Sequence, residues 1–426
     1  MLQIINSDPF DFDLLMNYIN QQQPEIVIFG ADIAGKVTAQ ILKSKNIPVA
    51  FFVDNNKNKC DGFIDGVRVE YAKNLTHNGS KRLFLIASTY ISDIVNQLES
   101  IGVSNWAPIV GFLEHAMMGN VRDILNGDLR KNHAGGEFTR DFDEFVLKNM
   151  INSQRKYLDP DKLYIRSIDL IITERCSLKC KDCSNLMQYY ERPQNIEIDV
   201  LREELDTICE IADEINEIRV IGGDPFMNKS FAEITSYAAG KANVNSVVVY
   251  TNGSICPPPE KISLIANKKT FVFITTYGDH SRNVGKLEKL LIECGVNFNT
   301  QPAYGWTDCG TINQHFRSDS EQEKIFGMCC AKHFTTLTMG KLFRCPFTAN
   351  AFRLSAIPDD NRDYISLADL SDSSLSKTEI RAKLKKFLRN IPFTPACDFC
   401  NGRTYGDPEI VPGIQTEKPI IFKKFI

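Results

Sequence analysis

Tyr164-Ile-Arg-Ser-Ile-Asp-Leu-Ile-Ile-Thr-Glu-Arg-Cys-Ser-Leu-Lys-Cys-Lys-Asp-Cys-Ser184 runs from an apolar, strand-like stretch (Tyr164 to Thr173) directly into a C-x3-C-x2-C loop. Three thiolates on one short loop, Cys176, Cys180 and Cys183, suit three irons of a 4Fe-4S cube, and the missing fourth ligand leaves one iron open to a substrate or cofactor. Structural zinc is the alternative, although zinc prefers paired C-x2-C halves that complete four ligands.

The surrounding chain sets the frame. Its 426 residues allow about three modules of ~150 residues. A net charge of −4 with both signs interspersed gives no footprint for nucleic acid. No run approaches the ~18 apolar residues of a membrane span, and Met1-Leu-Gln-Ile-Ile-Asn-Ser-Asp8 lacks the basic region of a signal peptide. The expectation is a soluble, cytoplasmic protein without nucleic-acid or membrane partners. Thirteen cysteines, partly grouped, make a poor disulfide framework and read as metal ligands.

Upstream, Glu25-Ile-Val-Ile-Phe29 reads as a strand ending at Gly30. A helix with Ile33, Val37 and Ile41 on one face follows, then a second strand, Pro48-Val-Ala-Phe-Phe-Val53, ending at Asp54. Gly30 and Gly35 match the first and third glycines of G-x-G-x-x-G, but Asp32 replaces the second, where backbone must approach a pyrophosphate. Leu83-Phe-Leu-Ile-Ala87 is a third strand. Ile91, Ile94, Val95, Leu98 and Ile101 form a helical core stripe. Through Ile28-Phe-Gly-Ala31, Phe52-Val-Asp-Asn55 and Asp65-Gly-Val-Arg-Val69, residues 24–112 resemble the small Rossmann-like domain preceding the acyltransferase part of bacterial sugar O-acyltransferases. The resemblance implies either a working nucleotide-sugar site or a scaffold that has lost it.

Beyond Tyr164, strands and helices alternate, which predicts a parallel sheet. A helix carrying Leu201, Leu205, Ile208, Ala212 and Ile215 precedes a strand at Ile218 to Ile221. Further strands lie at Val247 to Tyr250, Thr270 to Ile274 and Asn297 to Ala303. Cys209 and Cys294 fall on apolar helix faces as small core residues. The strand at Ile221 ends in Gly222-Gly-Asp-Pro225, whose backbone amides and carbonyls suit the ammonium and carboxylate of an amino acid.

Together with the three cysteines, this motif and Thr251-Asn-Gly253 resemble the radical S-adenosylmethionine (radical SAM) superfamily, with Asp224 in place of the usual Glu. The resemblance implies a 4Fe-4S cluster on Cys176, Cys180 and Cys183. It further implies S-adenosylmethionine held on the open iron with help from Gly222, Gly223, Asp224, Pro225, Thr251 and Asn252. Reductive cleavage to a 5'-deoxyadenosyl radical would then abstract hydrogen from a substrate carbon, with electrons from an external donor such as flavodoxin or ferredoxin. The residue before the third cysteine is usually aromatic and supports the adenine; here it is Asp182, so Tyr189 or Tyr190 is expected to substitute. In a partial barrel, strand ends supply the pocket, which makes Asn252, Thr275, Tyr277, Asp279 and Gln301 candidates.

A second cysteine set comprises Cys329, Cys330, Cys345 in Gly340-Lys-Leu-Phe-Arg-Cys345, and Cys397 and Cys400 in Pro395-Ala-Cys-Asp-Phe-Cys400. It resembles the shorter, twitch form of the SPASM extension and implies one auxiliary 4Fe-4S cluster, with Cys329 preferred over Cys330; a zinc held by the same residues is the alternative. Ser376-Lys-Thr-Glu379 is a capping box opening a helix with Ile380, Leu384 and Leu388 inward. Cys60 and Cys256 read as loop thiols. Cys309, in Gly305-Trp-Thr-Asp-Cys-Gly310, reads as a substrate-side thiol or an open-site ligand. The tail Ile420 to Ile426 is expected to dock, as a final strand or against a partner.

The predicted fold class is α/β: a Rossmann-like N-terminal domain (1–112), a helical linker (113–160), a partial (βα)6 TIM-like barrel of radical SAM type (161–308) and a small C-terminal α+β cluster-binding extension (309–426). The expected activity is radical SAM oxidation, epimerisation or rearrangement of a small polar substrate, a sugar or nucleotide sugar. A peptide maturase and a non-catalytic redox or metal-binding scaffold are the alternatives.

Overall fold

The computed structural model describes residues 8, 10–76, 81–119, 124–125, 140–157, 159, 161–404 and 407–425. The chain folds as two compact units, residues 1–161 and 162–426.

In the first unit, β1 (Glu25–Phe29), β2 (Val49–Asp54), β3 (Phe63–Ile64), β4 (Val67–Tyr71), β5 (Arg82–Ile86) and β6 (Trp106–Pro108) form one sheet in the order β3-β4-β2-β1-β5-β6. All neighbours are parallel except the hairpin β3–β4, which Asp65 and Gly66 turn with φ of 49° and 80°. The predicted apolar faces pack as expected: Ile33, Val37 and Ile41 on one side of the sheet, and Ile91, Ile94, Val95 and Leu98 on the other. Helices Val110–Met118 and Arg140–Tyr157 lie in the segment expected to be a linker. They nevertheless add Phe112, Leu113, Ala116, Leu147, Met150 and Ile151 to this unit's core. Gly127, Gly135 and Gly136, expected to break that segment, lie outside the described residues.

In the second unit, β7 (Tyr164–Ile165), β8 (Ile168–Thr173), β9 (Glu214–Gly222), β10 (Val244–Thr251), β11 (Thr270–Thr276) and β12 (Asn297–Pro302) are joined by β13 (Thr335–Thr338), β14 (Lys341–Phe343) and β15 (Tyr364–Ser366). The path is β12-β11-β10-β9-β8-β13-β14-β15, with β7 paired to the start of β9. Strands β8 to β12 are parallel neighbours, and β13 continues the sheet in parallel beside β8 before β14 and β15 turn antiparallel. The hairpin leading to Cys345 is thus part of the sheet that carries the cysteine triplet.

Alternation along these strands separates two faces. Ile168, Leu170, Ile172, Ile218, Val220, Val247, Val249, Val272, Ile274 and Leu337 share a core with helix residues such as Leu201, Leu205, Ile208, Phe231, Leu287 and Leu291. The positions between them, including Asp169, Glu217, Arg219 and Tyr250, fall on the opposite face. The helix predicted to reach Ile215 is Ile198–Ile211; Ile215 belongs to β9, which is longer than its apolar run suggests because polar residues alternate with the apolar ones. The Ser376–Glu379 capping box opens Lys377–Arg389, with Leu384 and Phe387 buried and Ile380 and Leu388 partly buried. Cys209 and Cys294 pack half-buried against the core.

The tail docks without becoming a strand. Ile420 N–H donates to the Gln188 carbonyl (2.9 Å) and Phe425 N–H to that of Ser355 (2.7 Å). The rings of Phe422 and Phe425 pack edge-on against Tyr189 (5.4 Å) and Phe399 (5.4 Å).

Gly30 has φ 121°, and a Cβ on it would stand 2.2 Å from the Ala87 carbonyl oxygen, whereas Gly66 has open space around its Cβ position. Gly30→Ala should therefore destabilise the first unit by about 3 kcal/mol. Gly66→Ala should cost about 1 kcal/mol, the strain of its backbone alone. Urea unfolding of the two variants measures the difference.

Candidate functional site

The cysteine loop leaves the carboxyl end of β8 under close restraint. Thr173 Oγ1 accepts from Arg175 N–H (3.0 Å) and donates to Asn195 (2.7 Å), and Glu174 forms an ion pair with Arg353. Two backbone bonds then tie the loop to the end of β9, Gly223 N–H to the Thr173 carbonyl (2.9 Å) and Asp224 N–H to that of Arg175 (2.8 Å). A Cβ on Gly222 would lie 2.1 Å from the Thr173 oxygen, and one on Gly223 2.0 Å from the Arg175 oxygen. The two glycines are therefore required by contact between loop and strand. Their neighbouring amides are not free for a ligand, which corrects the expectation that amides at this turn grip an amino acid; carbonyl oxygens remain for that role, the one on Gly222 also accepting from Asn185 Nδ2 (3.0 Å).

Asp224 is 1% exposed, and its carboxylate accepts from Thr251 Oγ1 (2.9 Å), Asn252 N–H (3.0 Å) and Phe226 N–H (3.0 Å). It joins the β9 turn to the end of β10. Burial nonetheless pushes its carboxyl above the usual carboxylate range, with these three bonds opposing. Asn252 Nδ2 then reaches the Cys176 sulfur (3.6 Å) and Ser177 Oγ (3.0 Å).

Cys176, Cys180 and Cys183 gather where these ties converge. Burial first, and neighbouring negative groups second, push the Cys176 thiol upward and the Cys183 thiol up to about 11. Cys180 is raised by burial as well, against a hydrogen bond from Gln415 Nε2 to its sulfur (3.3 Å). Gln415 belongs to a strap running beside the loop. Lys181 N–H donates to the Ile414 carbonyl (2.7 Å), Thr416 N–H to that of Lys179 (2.7 Å), and Lys179 N–H to Gln415 Oε1 (2.7 Å). Nothing local in the sequence announces this contact, because it spans 235 residues.

Tyr277, beyond the end of β11, is pushed upward by burial and then by the negative groups Cys183, Cys180, Cys176 and Asp224. Trp306 meets its ring edge-on (5.8 Å), and Gly413 leaves room for it, since a Cβ there would stand 2.7 Å from Tyr277 Cδ1. Of the other pocket candidates, Asn252 contacts Cys176, Thr275 and Gln301 sit half-buried as register partners on β11 and β12, and Asp279 is exposed. Tyr189 and Tyr190 do not take the role expected of them. Both are buried in a core with Leu186, Phe347 and Phe399, Tyr189 bonded to the Gly310 carbonyl (3.2 Å) and Tyr190 beside Arg353 and Glu174.

The second cysteine set is drawn from three elements. Cys329 caps the end of helix Asp319–Met328, Cys345 caps the start of Pro346–Arg353, and Cys397 and Cys400 lie on and just past the turn Pro395–Asp398. Backbone N–H groups of Ala331 (3.4 Å), Thr348 (3.4 Å) and Gly402 (3.3 Å) point at the sulfurs of Cys329, Cys345 and Cys400. Burial raises the thiols of Cys329, Cys345, Cys397 and Cys400; Cys330, Cys345 and Cys397 push Cys329 further up, and Cys329, Cys345 and Cys309 do the same to Cys400. Burial raises Cys330 too, with Arg403 opposing and Cys309 and Asp407 adding to the rise. Among the described residues, no three His, Cys, Asp or Glu side chains converge as a site for one metal ion. A four-iron cube, which puts each thiolate on its own iron, does not require such a point.

In the first unit, the amides that would meet a pyrophosphate are occupied. Ala31 N–H donates to Asp54 (2.9 Å), Asp32 accepts from Ile33 N–H (3.0 Å), and Lys59 pairs with Asp32 (3.0 Å). A Cβ on Gly35 would lie 2.0 Å from the Gly30 oxygen, so this glycine serves helix–strand packing.

Residues 170–283 match the Radical SAM superfamily, and residues 22–109 match the family described as C2185-like, N-terminal. Among curated proteins, GTP 3',8-cyclase 2 of Pseudomonas aeruginosa is 27% identical over 103 residues, 24% of this chain and 30% of that protein. GTP 3',8-cyclase of Clostridium acetobutylicum is 28% identical over 100 residues, 22% of this chain and 31% of the relative. The chain thus spans about three tenths of the length of these relatives. Among solved structures, BtrN in complex with AdoMet and 2-DOIA aligns over 56% of this chain and 93% of its own, with 13% identity and TM-score 0.32. Native anSMEcpe with bound AdoMet aligns over 55% and 82%, with 11% identity and TM-score 0.34. The match at residues 170–283 is to a superfamily that implies a 4Fe-4S cluster and S-adenosylmethionine. The donor set fits such a cluster: three thiols on one loop, that of Cys180 buried and those of Cys176 and Cys183 half-buried, with hydrogen-bond donors to their sulfurs and no fourth cysteine in the loop.

Asp224→Ala should strand one hydroxyl and two backbone N–H donors in a buried site and lower the stability of metal-free protein by about 3 kcal/mol. Denaturant unfolding under anaerobic conditions reads this directly.

Proposed function

We propose that this protein is a radical SAM enzyme in which Cys176, Cys180 and Cys183 hold three irons of a 4Fe-4S cluster and the fourth iron receives S-adenosylmethionine. When bound, the pair supplies a 5'-deoxyadenosyl radical that takes hydrogen from a substrate carbon. The observation that carries this reading is the loop of three cysteines, Cys180 buried and Cys176 and Cys183 half-buried, held against Gly222–Asp224 and Asn252 inside the stretch that matches the superfamily.

The chain's own residues then have distinct tasks. Gly222, Gly223 and Pro225 fix the turn that presents carbonyl oxygens to the methionine end of S-adenosylmethionine. Asp224, Thr251 and Asn252 lock that turn to β10. Gln415 donates to the Cys180 sulfur and thereby tunes the potential of whatever the thiolate ligates. Tyr277 and Trp306 supply the aromatic surface that Asp182 does not, and the strap at Gly413–Thr416 keeps water from the loop.

Cys329, Cys345, Cys397 and Cys400 are proposed ligands of an auxiliary 4Fe-4S cluster, with Cys330 turned away from it. The core is assigned to residues 161–308 and the cluster-binding extension to 309–426. The substrate is proposed to be a small polar metabolite, a sugar or nucleotide sugar, undergoing oxidation, epimerisation or rearrangement, with a flavodoxin- or ferredoxin-like electron donor. Among the described residues no helix is long and apolar enough to cross a membrane.

Anaerobically reconstituted protein should convert S-adenosylmethionine to 5'-deoxyadenosine under reductant, and Cys176→Ala should lower this at least about 100-fold. Cleavage retained in that variant would sink the assignment.

A further inference from the structure

The C-x2-C turn of the second cysteine set is held from one side by a single short segment. Residues 312–317 run antiparallel to residues 397–400, with Ile312 opposite Cys400. All four carbonyls of the turn accept from that segment. Asn313 N–H donates to the Phe399 carbonyl (3.1 Å) and His315 N–H to that of Asp398 (2.9 Å). Arg317 supplies the other two, its Nη1 donating to the carbonyls of both Cys397 (2.7 Å) and Cys400 (2.7 Å). Its backbone N–H also donates to Asp398 Oδ1 (2.7 Å), so this residue grips the turn by main chain and side chain together.

The other side of Arg317 is tied as well. Its carbonyl accepts from Gln322 Nε2 (3.1 Å), and its neighbour Ser318 is the N-cap of helix Asp319–Met328, in a capping box with Glu321. That helix ends at Cys329. One residue therefore joins the helix that carries Cys329 to the turn that carries Cys397 and Cys400, while Cys345 arrives from β14.

The placement of its charge is also informative. Where Arg219, Arg353 and Arg381 meet the carboxylates of Asp169, Glu174 and Asp213, Arg317 forms no ion pair among the described residues. Both hydrogen bonds of its guanidinium go to carbonyls of cysteines. A carboxylate partner would cancel most of the guanidinium's field, whereas carbonyls leave a whole positive charge against the turn. A turn that presents two thiolates to a metal group is where such a field has something to act on.

We propose that Arg317 is a positioning residue of the second cysteine set: it fixes Cys397 and Cys400 relative to the helix ending in Cys329, and its charge raises the reduction potential of the cluster they hold. This rests on the auxiliary-cluster reading. Reduction adds an electron to a group already negative from its thiolates, so a cation beside the ligating turn favours the reduced form. Lysine at this position keeps the charge without the planar fork, and glutamine keeps a donor without the charge.

Protein with Cys176, Cys180 and Cys183 all changed to Ala isolates the second set, and after anaerobic reconstitution it should hold about four irons. In that background, a redox titration followed by electron paramagnetic resonance should give a lower midpoint potential for Arg317→Gln than for the unchanged residue. Arg317→Lys should keep the iron and recover most of the potential. Where Arg317→Gln retains no iron, the Lys variant decides by the same two measures. An unchanged or raised potential in Arg317→Gln overturns the inference, and so does an Arg317→Lys variant that loses iron or matches the Gln variant. If the triple-alanine protein takes up zinc and no iron, the auxiliary-cluster reading and the claim on potential both fail. The positioning role is then read from zinc affinity, which Arg317→Gln should weaken at least about 10-fold and Arg317→Lys should recover. Zinc bound equally by all three removes that role too, and protein that binds neither metal overturns the whole inference.

Discussion

The second unit is organised around one close approach: the backbone that follows β8 lies directly against the glycine pair that ends β9. With Cβ positions 2.1 and 2.0 Å from the oxygens of Thr173 and Arg175, no other residue fits at Gly222 or Gly223 without moving the loop. That approach lets two amides of one strand end hold the carbonyls of the other. Asp224 extends the tie to a third strand, and Asn252 closes the circuit on Cys176. The thiols are thereby fixed at the carboxyl ends of three adjacent parallel strands, the edge of a sheet where open α/β folds place their ligands.

Much of this was legible in the sequence because it follows from short-range pattern. The C-x3-C-x2-C spacing, the apolar runs, the capping box at Ser376 and the strand-ending Gly-Gly-Asp-Pro are each local signals, and the residues fall where periodicity puts them. The reason for the glycines was less legible. A sequence shows that a position tolerates no side chain but not whether a ligand or the chain itself fills the space, and here the chain does. The same limit applies to Gly35 in the first unit, where the occupied amides around Asp32 and Asp54 leave helix packing as the explanation.

What sequence reading missed lies far apart along the chain. Gln415 meets Cys180, Gly413 makes room for Tyr277, and Phe422 packs on Tyr189, contacts whose separations exceed any periodic signal. Tyr189 and Tyr190 were plausible aromatic partners only while the tail's destination was unknown; once Ile420, Phe422 and Phe425 occupy that core, both rings are committed to packing. The pairing of β13 with β8 shows why the two cysteine sets belong to one architecture, because the hairpin leading to Cys345 continues the sheet that carries the triplet.

The central claim is that the loop after β8 holds a four-iron cluster and that the second cysteine set holds another. Iron and sulfide quantification with Mössbauer spectroscopy, on anaerobically reconstituted wild type and on a variant with Cys176, Cys180 and Cys183 all changed to Ala, tests it most directly. The account predicts about eight irons in wild type and about four in the variant, the remainder showing the spectrum of a cube with four thiolates. Equal iron in the two proteins, or a wild type that binds zinc in place of iron, would contradict it.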